Sequence, residues 1–172
     1  MDFYDFADIS TMDKSVEDKL GFKRIFLANR DSKLINVDNE KEHITRDSVC
    51  MGLNKKRLVT ASVQGAKAII ITDSRINREL MEHISRGNIV LCMPLSNITS
   101  TNGLNRTKRI YMMSKLLNHA RKNKIDVSFI SMARSNEQLL SYAQLIELAK
   151  LIGADEQYAR NSLSIINKRL GV

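Results

Sequence analysis

The sequence predicts a single α/β domain spanning residues 1–172, folded as a shortened or incomplete (β/α) barrel. Short apolar runs alternate with amphipathic stretches of about 10 to 18 residues, the pattern of parallel βαβ units with right-handed crossovers. About six or seven strands are available, fewer than the eight strands of a complete barrel of ~250 residues. An open, doubly wound sheet is the alternative arrangement.

The predicted strands are apolar runs bounded by polar or turn-forming residues. They cover residues 3–9, 24–28, 49–53, 68–72, 89–93 and 126–131. The pattern is weakest over residues 29–45, where a brief apolar run at 34–37 lies in a charged stretch too short for a crossover helix.

The predicted helices begin at capping side chains and carry apolar residues at spacings of three and four. The first three are a helix capped by Ser10 or Thr11 and ending at Gly21, a helix over 54–64, and a helix capped by Asp73 or Ser74 with Ile76, Leu80, Met81 and Ile84. The fourth covers 104–123. The last two are a helix opened by Ser135 or Asn136 with Leu139, Leu140, Ala143, Ile146 and Leu151 inward, and a helix capped near Asp155 with Ala159, Leu163, Ile166 and Leu170 inward.

Positive charge is concentrated in one quarter of the chain. The protein carries 27 basic and 19 acidic residues, a net charge of +8. Between Glu82 and Asp126 there are eight basic residues and no carboxylate, and removing these eight leaves 19 basic residues against 19 acidic ones. Charge gathered in one segment acts as a patch. The eight are Arg86, Arg106, Lys108, Arg109, Lys115, Arg121, Lys122 and Lys124.

The predicted helix 104–123 carries most of this charge. Lys108, Lys115 and Lys122 repeat every seven residues, so they line up about 10 Å apart on one face, and His119 stands one turn beyond Lys115. A solvated helix face is the simplest interpretation, but such faces usually intersperse Glu with Lys to lower self-repulsion. The absence of Glu from this helix favours contact with a polyanion. A stripe on another face is predicted to be buried and consists of Ile110, Met113, Leu117 and Ala120, with Leu116 beside it.

Composition narrows the partners and the compartment. A pI near 9.6 favours nucleic acid, because phosphates bind basic proteins through counterion release. No apolar run approaches the ~20 residues of a membrane span, and the first eight residues are acidic and aromatic, unlike a signal peptide. Cys50 and Cys92 lie singly in apolar runs, which predicts buried thiols in a reducing cytoplasm.

The strand ends, where parallel α/β folds build their active sites, hold no recognisable catalytic set. Glycine-rich phosphate loops, nucleophile elbows and paired cysteines are missing from the sequence. We therefore predict no catalytic residue, no metal ligand and no protein-bound cofactor. A barrel hydrolase or phosphoesterase acting on an anionic substrate is the first alternative, and it would use Asp8, Asp73 and Ser131.

A protein-interaction scaffold is the second alternative. Met112, Met113 and apolar residues near Ile98 would then dock another subunit, and the basic patch would meet an acidic partner surface. This alternative is compatible with RNA binding, since one protein can present both surfaces.

Several segments between about residues 57 and 170 together resemble a known family. They are Ile-Val-Leu-Cys-Met-Pro-Leu-Ser at 89–96, Asn-Arg-Thr-Lys-Arg at 105–109, Val-Ser-Phe-Ile-Ser-Met-Ala at 127–133, the tail with Leu145, Gly153, Ala159 and Ser164, and, more weakly, 63–71. In order and spacing they resemble ribonuclease P protein component three, the archaeal and eukaryotic subunit with a TIM-barrel-like fold. The first third of the chain matches only by its opening strand.

The resemblance implies an RNA-binding subunit of the ribonucleoprotein that removes the 5′ leader from precursor tRNA. In that family the RNA subunit supplies the active site and binds Mg²⁺, so endoribonuclease activity belongs to the holoenzyme and not to this subunit alone. The implied partners are the ribonuclease P RNA, protein component two, other protein subunits and, indirectly, precursor tRNA. The residues expected to contact RNA are Arg86, Arg106, Lys108, Arg109, Lys115, Arg121, Lys122, Lys124 and Arg134.

One segment departs from the family pattern. Between Ala133 and Leu145 relatives usually have Arg-x-Pro-x-Asp, and this chain has Leu140, Tyr142 and Gln144 at those places. Contacts that relatives make there are therefore not transferred to this protein.

Overall fold

The computed structural model describes residues 4–7, 12, 14–27, 34–38, 44–45, 48–72 and 77–170. None of the helices in these residues combines the length and the apolar character needed to cross a membrane. The strands are β1 Tyr4–Ala7, β2 Arg24–Leu27, β3 Leu34–Asn36, β4 Val49–Gly52, β5 Ala68–Ile71, β6 Val90–Pro94 and β7 Val127–Ile130. The helices are α1 Lys14–Leu20, α2 Lys55–Val63, α3 Arg78–Arg86, α4 Ser96–Thr99, α5 Gly103–Lys122, α6 Tyr142–Leu151 and α7 Glu156–Leu170.

All pairings among the described strands are parallel, which confirms the predicted α/β class. Five strands form one sheet in the order β3-β4-β5-β6-β7, and β1 pairs with β2 in a second sheet. β1 also runs beside the end of β7, because Ala7 bridges Ala133 and the Met132 N–H donates to the Phe6 carbonyl at 2.7 Å. Within the described residues β2 and β3 are not paired, and no closed barrel is found.

The strands are buried on both faces, and each face has its own apolar cluster. The outer face packs against the helices through residues such as Ile69 and Leu91. All seven strands contribute to the other face, which among the described helices is reached by α7 alone, through Ile165 and Ile166. Among the described residues, side chains of the strands themselves therefore supply most of the apolar contacts on this face. We call it the inner cluster: Phe6, Phe26, Leu34, Val49, Met51, Ala68, Ile70, Val90, Cys92, Ile130, Met132 and Ile166.

A buried carboxylate joins the two sheets. Asp5 on β1 is fully buried, and its Oδ1 accepts hydrogen bonds from the Ser131 N–H at 2.6 Å and the Phe6 N–H at 2.8 Å. The Ser131 hydroxyl donates to Oδ2 of the same carboxylate. Burial raises the pKa of Asp5 to about 6, against the opposing effect of these hydrogen bonds.

The six predicted strands are found with small changes at their ends, and β3 lies in the segment where the sequence pattern is weakest. The brief apolar run over 34–37, which left the predicted count at six or seven, forms a strand: Leu34–Asn36 pairs with β4 in parallel register. Three residues are too few to show a period of two. Only the pairing with β4 identifies this strand.

α3 begins later than predicted. Its first residue is Arg78, and the Asn77 side chain caps it by accepting a hydrogen bond from the Leu80 N–H at 3.0 Å. The predicted caps Asp73 and Ser74 lie outside the described residues, as do Ser10 and Thr11 before α1.

α6 also begins later than predicted. A single 3₁₀ turn, Asn136–Gln138, occupies the predicted start, and the α-helix begins at Tyr142. Ser141 and Gln144 form a capping box, in which each side chain accepts from the other residue's N–H, at 3.3 and 2.8 Å. This Ser-x-x-Gln signature is visible in the sequence and identifies the correct start.

The apolar face of α6 changes with its start. Leu139 and Leu140 are buried, as predicted, but they precede the helix in extended or irregular backbone. Ala143 and Leu151, predicted to face inward, are exposed, because their predicted orientation assumed a helix that included Leu139. The buried residues of α6 are Leu145, Ile146 and Ala149.

The buried Asp5 should make stability depend on pH. Below about pH 4 the carboxyl is protonated in both states. Between about pH 4 and pH 6 the unfolded chain releases this proton while the folded protein keeps it, so stability falls as pH rises, by roughly 3 kcal/mol in total. Asp5→Asn stays neutral and should lack this component. Urea unfolding of both proteins from about pH 4 to pH 7 measures the difference, and parallel stability profiles would contradict the prediction.

Candidate nucleic-acid interface

α5 is the basic helix predicted from the sequence, and its buried stripe is confirmed. Met113, Leu116, Leu117 and Ala120 are buried against the outer face of the sheet. Ile110 is half-buried against the same cluster. These contacts attach one side of the helix to the fold and leave the other side in solvent.

The exposed side of α5 carries a row of lysines that we call the lysine ridge: Lys108, Lys115 and Lys122. All three are exposed, and their seven-residue spacing separates them by about 10 Å along the helix. None forms an ion pair with a carboxylate of the described residues, although other cations of the chain do. The lysine ridge is therefore a line of positive charge that the described fold leaves uncompensated.

The amino-terminal end of α5 extends the same charge. Residues 102–108 are all exposed, which places Arg106 in solvent, and Arg109 is half-buried. The first turn contains no acidic residue, and the Asn102 side chain makes no capping hydrogen bond. The amino end of a helix is the positive end of its dipole, so cations here raise the local potential. A bound anion would be stabilised both by the helix dipole and by these cations.

The structure brings Arg86 to the other end of α5. The Ser85 hydroxyl, in the last turn of α3, donates to the Asn123 carbonyl at 3.2 Å. Arg86 and Lys124 are both exposed and follow these two residues directly. They therefore lie at the same corner as Lys122, although Arg86 and Lys122 are far apart in sequence.

Arg121 is held by the fold. Its guanidinium lies 4.2 Å from the centroid of the Tyr158 ring, donates to the Gly153 carbonyl at 3.1 Å and pairs with Asp155 at 3.4 Å. Of the predicted RNA-contacting residues on α5, Arg121 alone has such tertiary partners among the described residues. Its geometry suits fastening α5 to α7 better than contacting phosphate.

Arg134 lies at the opposite edge of the sheet from Arg86. It is exposed, and its backbone N–H donates to the Gln138 side chain at 3.0 Å. It follows the carboxyl end of β7. At the same edge of the sheet the chain leaves the carboxyl end of β6 and continues through the short α4 into α5. Arg134 and the start of α5 thus share one edge, whereas Arg86 and Lys124 share the other.

Of the three residues considered for a hydrolase, the structure describes Ser131 alone. Asp8 and Asp73 lie outside the described residues. Ser131 is fully buried and hydrogen-bonded to Asp5, so a substrate in solvent cannot reach its hydroxyl. No group of three or more His, Cys, Asp or Glu side chains in the described ranges could hold a metal ion.

Most of the residues considered for docking in a scaffold are not available at the surface. Met113 and Ile98 are buried in the core and cannot contact another protein. Met112 is half-buried. Burial of Met113 agrees instead with the buried stripe predicted for this helix.

The cysteines are buried, as predicted. Cys50 and Cys92 are buried and are not joined in a disulfide. Burial raises the pKa of the Cys92 thiol, which keeps it protonated and unreactive.

Tyr111 is a surface feature that the sequence analysis missed. Its side chain is 58% exposed, and the Lys115 Nζ lies 4.5 Å from its ring centroid. The signal was present in the spacing, since Tyr111 is three residues after Lys108 and four before Lys115, and therefore shares their face of the helix.

The fold is shared with a chain of a known ribonucleoprotein. A chain in the cryo-EM structure of archaeal ribonuclease P with mature tRNA matches this protein with a TM-score of 0.66 and 14% sequence identity, over 98% of this protein and 80% of that chain. No family profile matches the sequence, and no curated protein matches it. The likeness shows a common α/β fold, and it includes the first third of the chain, where the sequence resemblance rests on one strand.

Arg121 and its neighbour Lys122 should differ in their effect on stability. Arg121→Ala removes the contact with Tyr158 and the hydrogen bond to Gly153, so we expect it to lower the free energy of unfolding by about 1–2 kcal/mol. Lys122→Ala should change it by less than about 0.5 kcal/mol. Urea denaturation followed by circular dichroism measures both, and equal effects would contradict the structural role of Arg121.

Proposed function

We propose that this protein is an RNA-binding subunit of ribonuclease P, of the component three type, which supports removal of the 5′ leader from precursor tRNA. The observation that carries the proposal is the fold shared over 98% of the chain with a chain of archaeal ribonuclease P. The lysine ridge gives an independent chemical reason, because a row of lysines without carboxylate partners among the described residues favours contact with a polyanion, and RNA is the polyanion of that enzyme.

The proposed architecture is a shortened, TIM-like barrel. β1 lies beside β7, and side chains from all seven strands meet in the inner cluster. The open side of the barrel would then lie between β2 and β3. This arrangement agrees with the fold that the sequence resemblance implies.

Catalysis is assigned to the RNA subunit, with Mg²⁺ held by RNA and no cofactor held by this protein. The protein would help the RNA keep its active fold, in the cytoplasm, together with protein component two and the other protein subunits. Precursor tRNA would be met indirectly, through the RNA. Endoribonuclease activity would therefore belong to the assembled holoenzyme.

Contact with RNA is assigned to both ends of α5 and to the lysine ridge between them. A helix of 20 residues spans about 30 Å, so cations along it can meet several phosphates of one RNA strand or groove. Phosphate contacts fix position and orientation and carry little sequence information. Recognition would therefore depend on RNA shape and on the partner proteins. At one edge of the sheet the phosphates would be contacted by Arg106, Lys108, Arg109 and Arg134. At the other edge they would be contacted by Arg86, Lys122 and Lys124, and Lys115 lies between the two groups.

Reconstitution tests the function directly. Purified protein is added to an archaeal ribonuclease P RNA with the other protein subunits, and precursor tRNA cleavage is followed as Mg²⁺ is lowered. We expect cleavage to persist at lower Mg²⁺ when the protein is present, because it stabilises the folded RNA. The same mixture without the protein is the control, and no gain in cleavage would count against the proposal.

Charge reversal of the lysine ridge tests the interface. Replacing Lys108, Lys115 and Lys122 by Glu should weaken RNA binding and reduce the slope of log affinity against log salt by roughly one unit per lost contact. Fluorescence anisotropy with labelled ribonuclease P RNA over a salt series measures both quantities.

A matched variant separates the ridge from net charge. Lys19, Lys56 and Lys168 are exposed residues on other helices, and their replacement by Glu lowers the net charge by the same six units, from +8 to +2. We expect this variant to keep most of the affinity and slope of the wild type. Equal losses in the two variants would contradict the assignment to the ridge.

A further inference from the structure

We propose that Tyr111 is a stacking platform for an unpaired RNA base, held between Lys108 and Lys115 of the lysine ridge. The inference rests on the proposed function and deepens it. It specifies that the ridge prefers a bulged or single-stranded nucleotide over continuous duplex.

Tyr111 has no packing role that would explain an aromatic residue at this position. It is 58% exposed and does not pack against the apolar core. Among the described residues its hydroxyl makes no hydrogen bond. Tyr142 and Tyr158, by contrast, are half-buried against the core and contact Arg160 and Arg121. An exposed ring whose contact among the described residues is with Lys115 of its own helix is available to a ligand.

The environment of the ring suits a nucleotide. The Lys115 ammonium lies 4.5 Å from the ring centroid, a cation–π contact that covers one side of the ring and leaves the remaining exposed area to solvent. Lys108 stands about 4.5 Å earlier along the helix axis and Lys115 about 6 Å later. A base stacked on the ring would therefore have a cation on either side for its flanking phosphates.

Apolar and cationic groups alternate along this face of α5. Leu104 is 80% exposed and precedes Tyr111 by seven residues, the same spacing that relates the lysines. Surfaces that bind single-stranded nucleic acid combine cations that follow the backbone with rings on which bases stack. Lysines alone would bind duplex equally well, and the ring supplies the preference.

A continuous duplex cannot use the ring. Its bases are already stacked on both sides, and the major groove of A-form RNA is too narrow for side chains to read. An unpaired base can leave the helix and stack on an aromatic side chain. The site therefore distinguishes the two forms of RNA by access to a base face.

The test compares two fluorescein-labelled hairpin RNAs, one fully paired and one with bulged nucleotides, by anisotropy. We expect Tyr111→Ala to weaken binding of the bulged hairpin about tenfold, the size of one lost base–aromatic stack, and to leave the paired hairpin within about twofold. Tyr111→Phe should bind like the wild type, because stacking needs the ring and not the hydroxyl. Val63→Ala, which removes a side chain 67% exposed on α2, is the control and should change neither affinity.

Tyr111→Trp gives a direct optical readout, since the chain contains no tryptophan. We expect the bulged hairpin to quench the indole fluorescence of this variant strongly and the paired hairpin to quench it weakly.

If both hairpins bind but Tyr111→Ala has no selective effect and quenching is equal, the stacking inference fails and the proposed RNA binding stands. If wild-type protein binds neither hairpin nor ribonuclease P RNA, both fail. Binding to poly-glutamate is measured with the same proteins. If Tyr111→Ala weakens this binding as much as it weakens binding of the bulged hairpin, the inference is overturned in favour of an acidic protein partner.

Discussion

The structure depends on the junction between β1 and β7, where Asp5 receives hydrogen bonds from the backbone and hydroxyl of Ser131. β1 and β2 otherwise pair only with each other among the described strands. The junction attaches them to the five-stranded sheet and so allows Phe6 and Phe26 to complete the inner cluster. Burying a carboxylate costs free energy, and here the hydrogen bonds that offset part of this cost come from Phe6 and from Ser131, the residue that follows β7. Its desolvation is thereby coupled to the correct pairing.

The five-stranded sheet in turn decides which side of α5 remains in solvent. Burial of Met113 and Leu117 fixes the rotation of the helix, and the lysine ridge follows on its other side. The cations differ in their partners: Arg121, Arg160 and Arg169 pair with carboxylates, whereas the ridge lysines pair with no carboxylate of the described residues. Arginine forms planar, multiple contacts within a fold, and lysine is a mobile point charge. Arg121 thus fastens α5 to α7, while the lysines of the ridge remain in solvent.

The fold likeness to a chain of archaeal ribonuclease P exists at 14% identity. Such a likeness is maintained by the pattern of apolar and small residues, since many side chains of similar volume fill the same core. The segments that resemble component three, such as 89–96 and 127–133, are of this kind. The positive charge of α5 is a separate feature, because no core requires it, and it therefore bears on function more directly than the strands do.

Local patterns in the sequence determined the α/β class, most strands, the extent of α5 and the concentration of charge, because periodicity and net charge are properties of short segments. Tertiary structure alone decided the rest. The bond of Ser131 to Asp5 joins residues 126 positions apart, Arg121 finds Asp155 and Tyr158 on another helix, and β3 exists through its pairing with β4. Each of these depends on contact between segments that are distant along the chain, and no local spacing encodes which distant segment will be the neighbour.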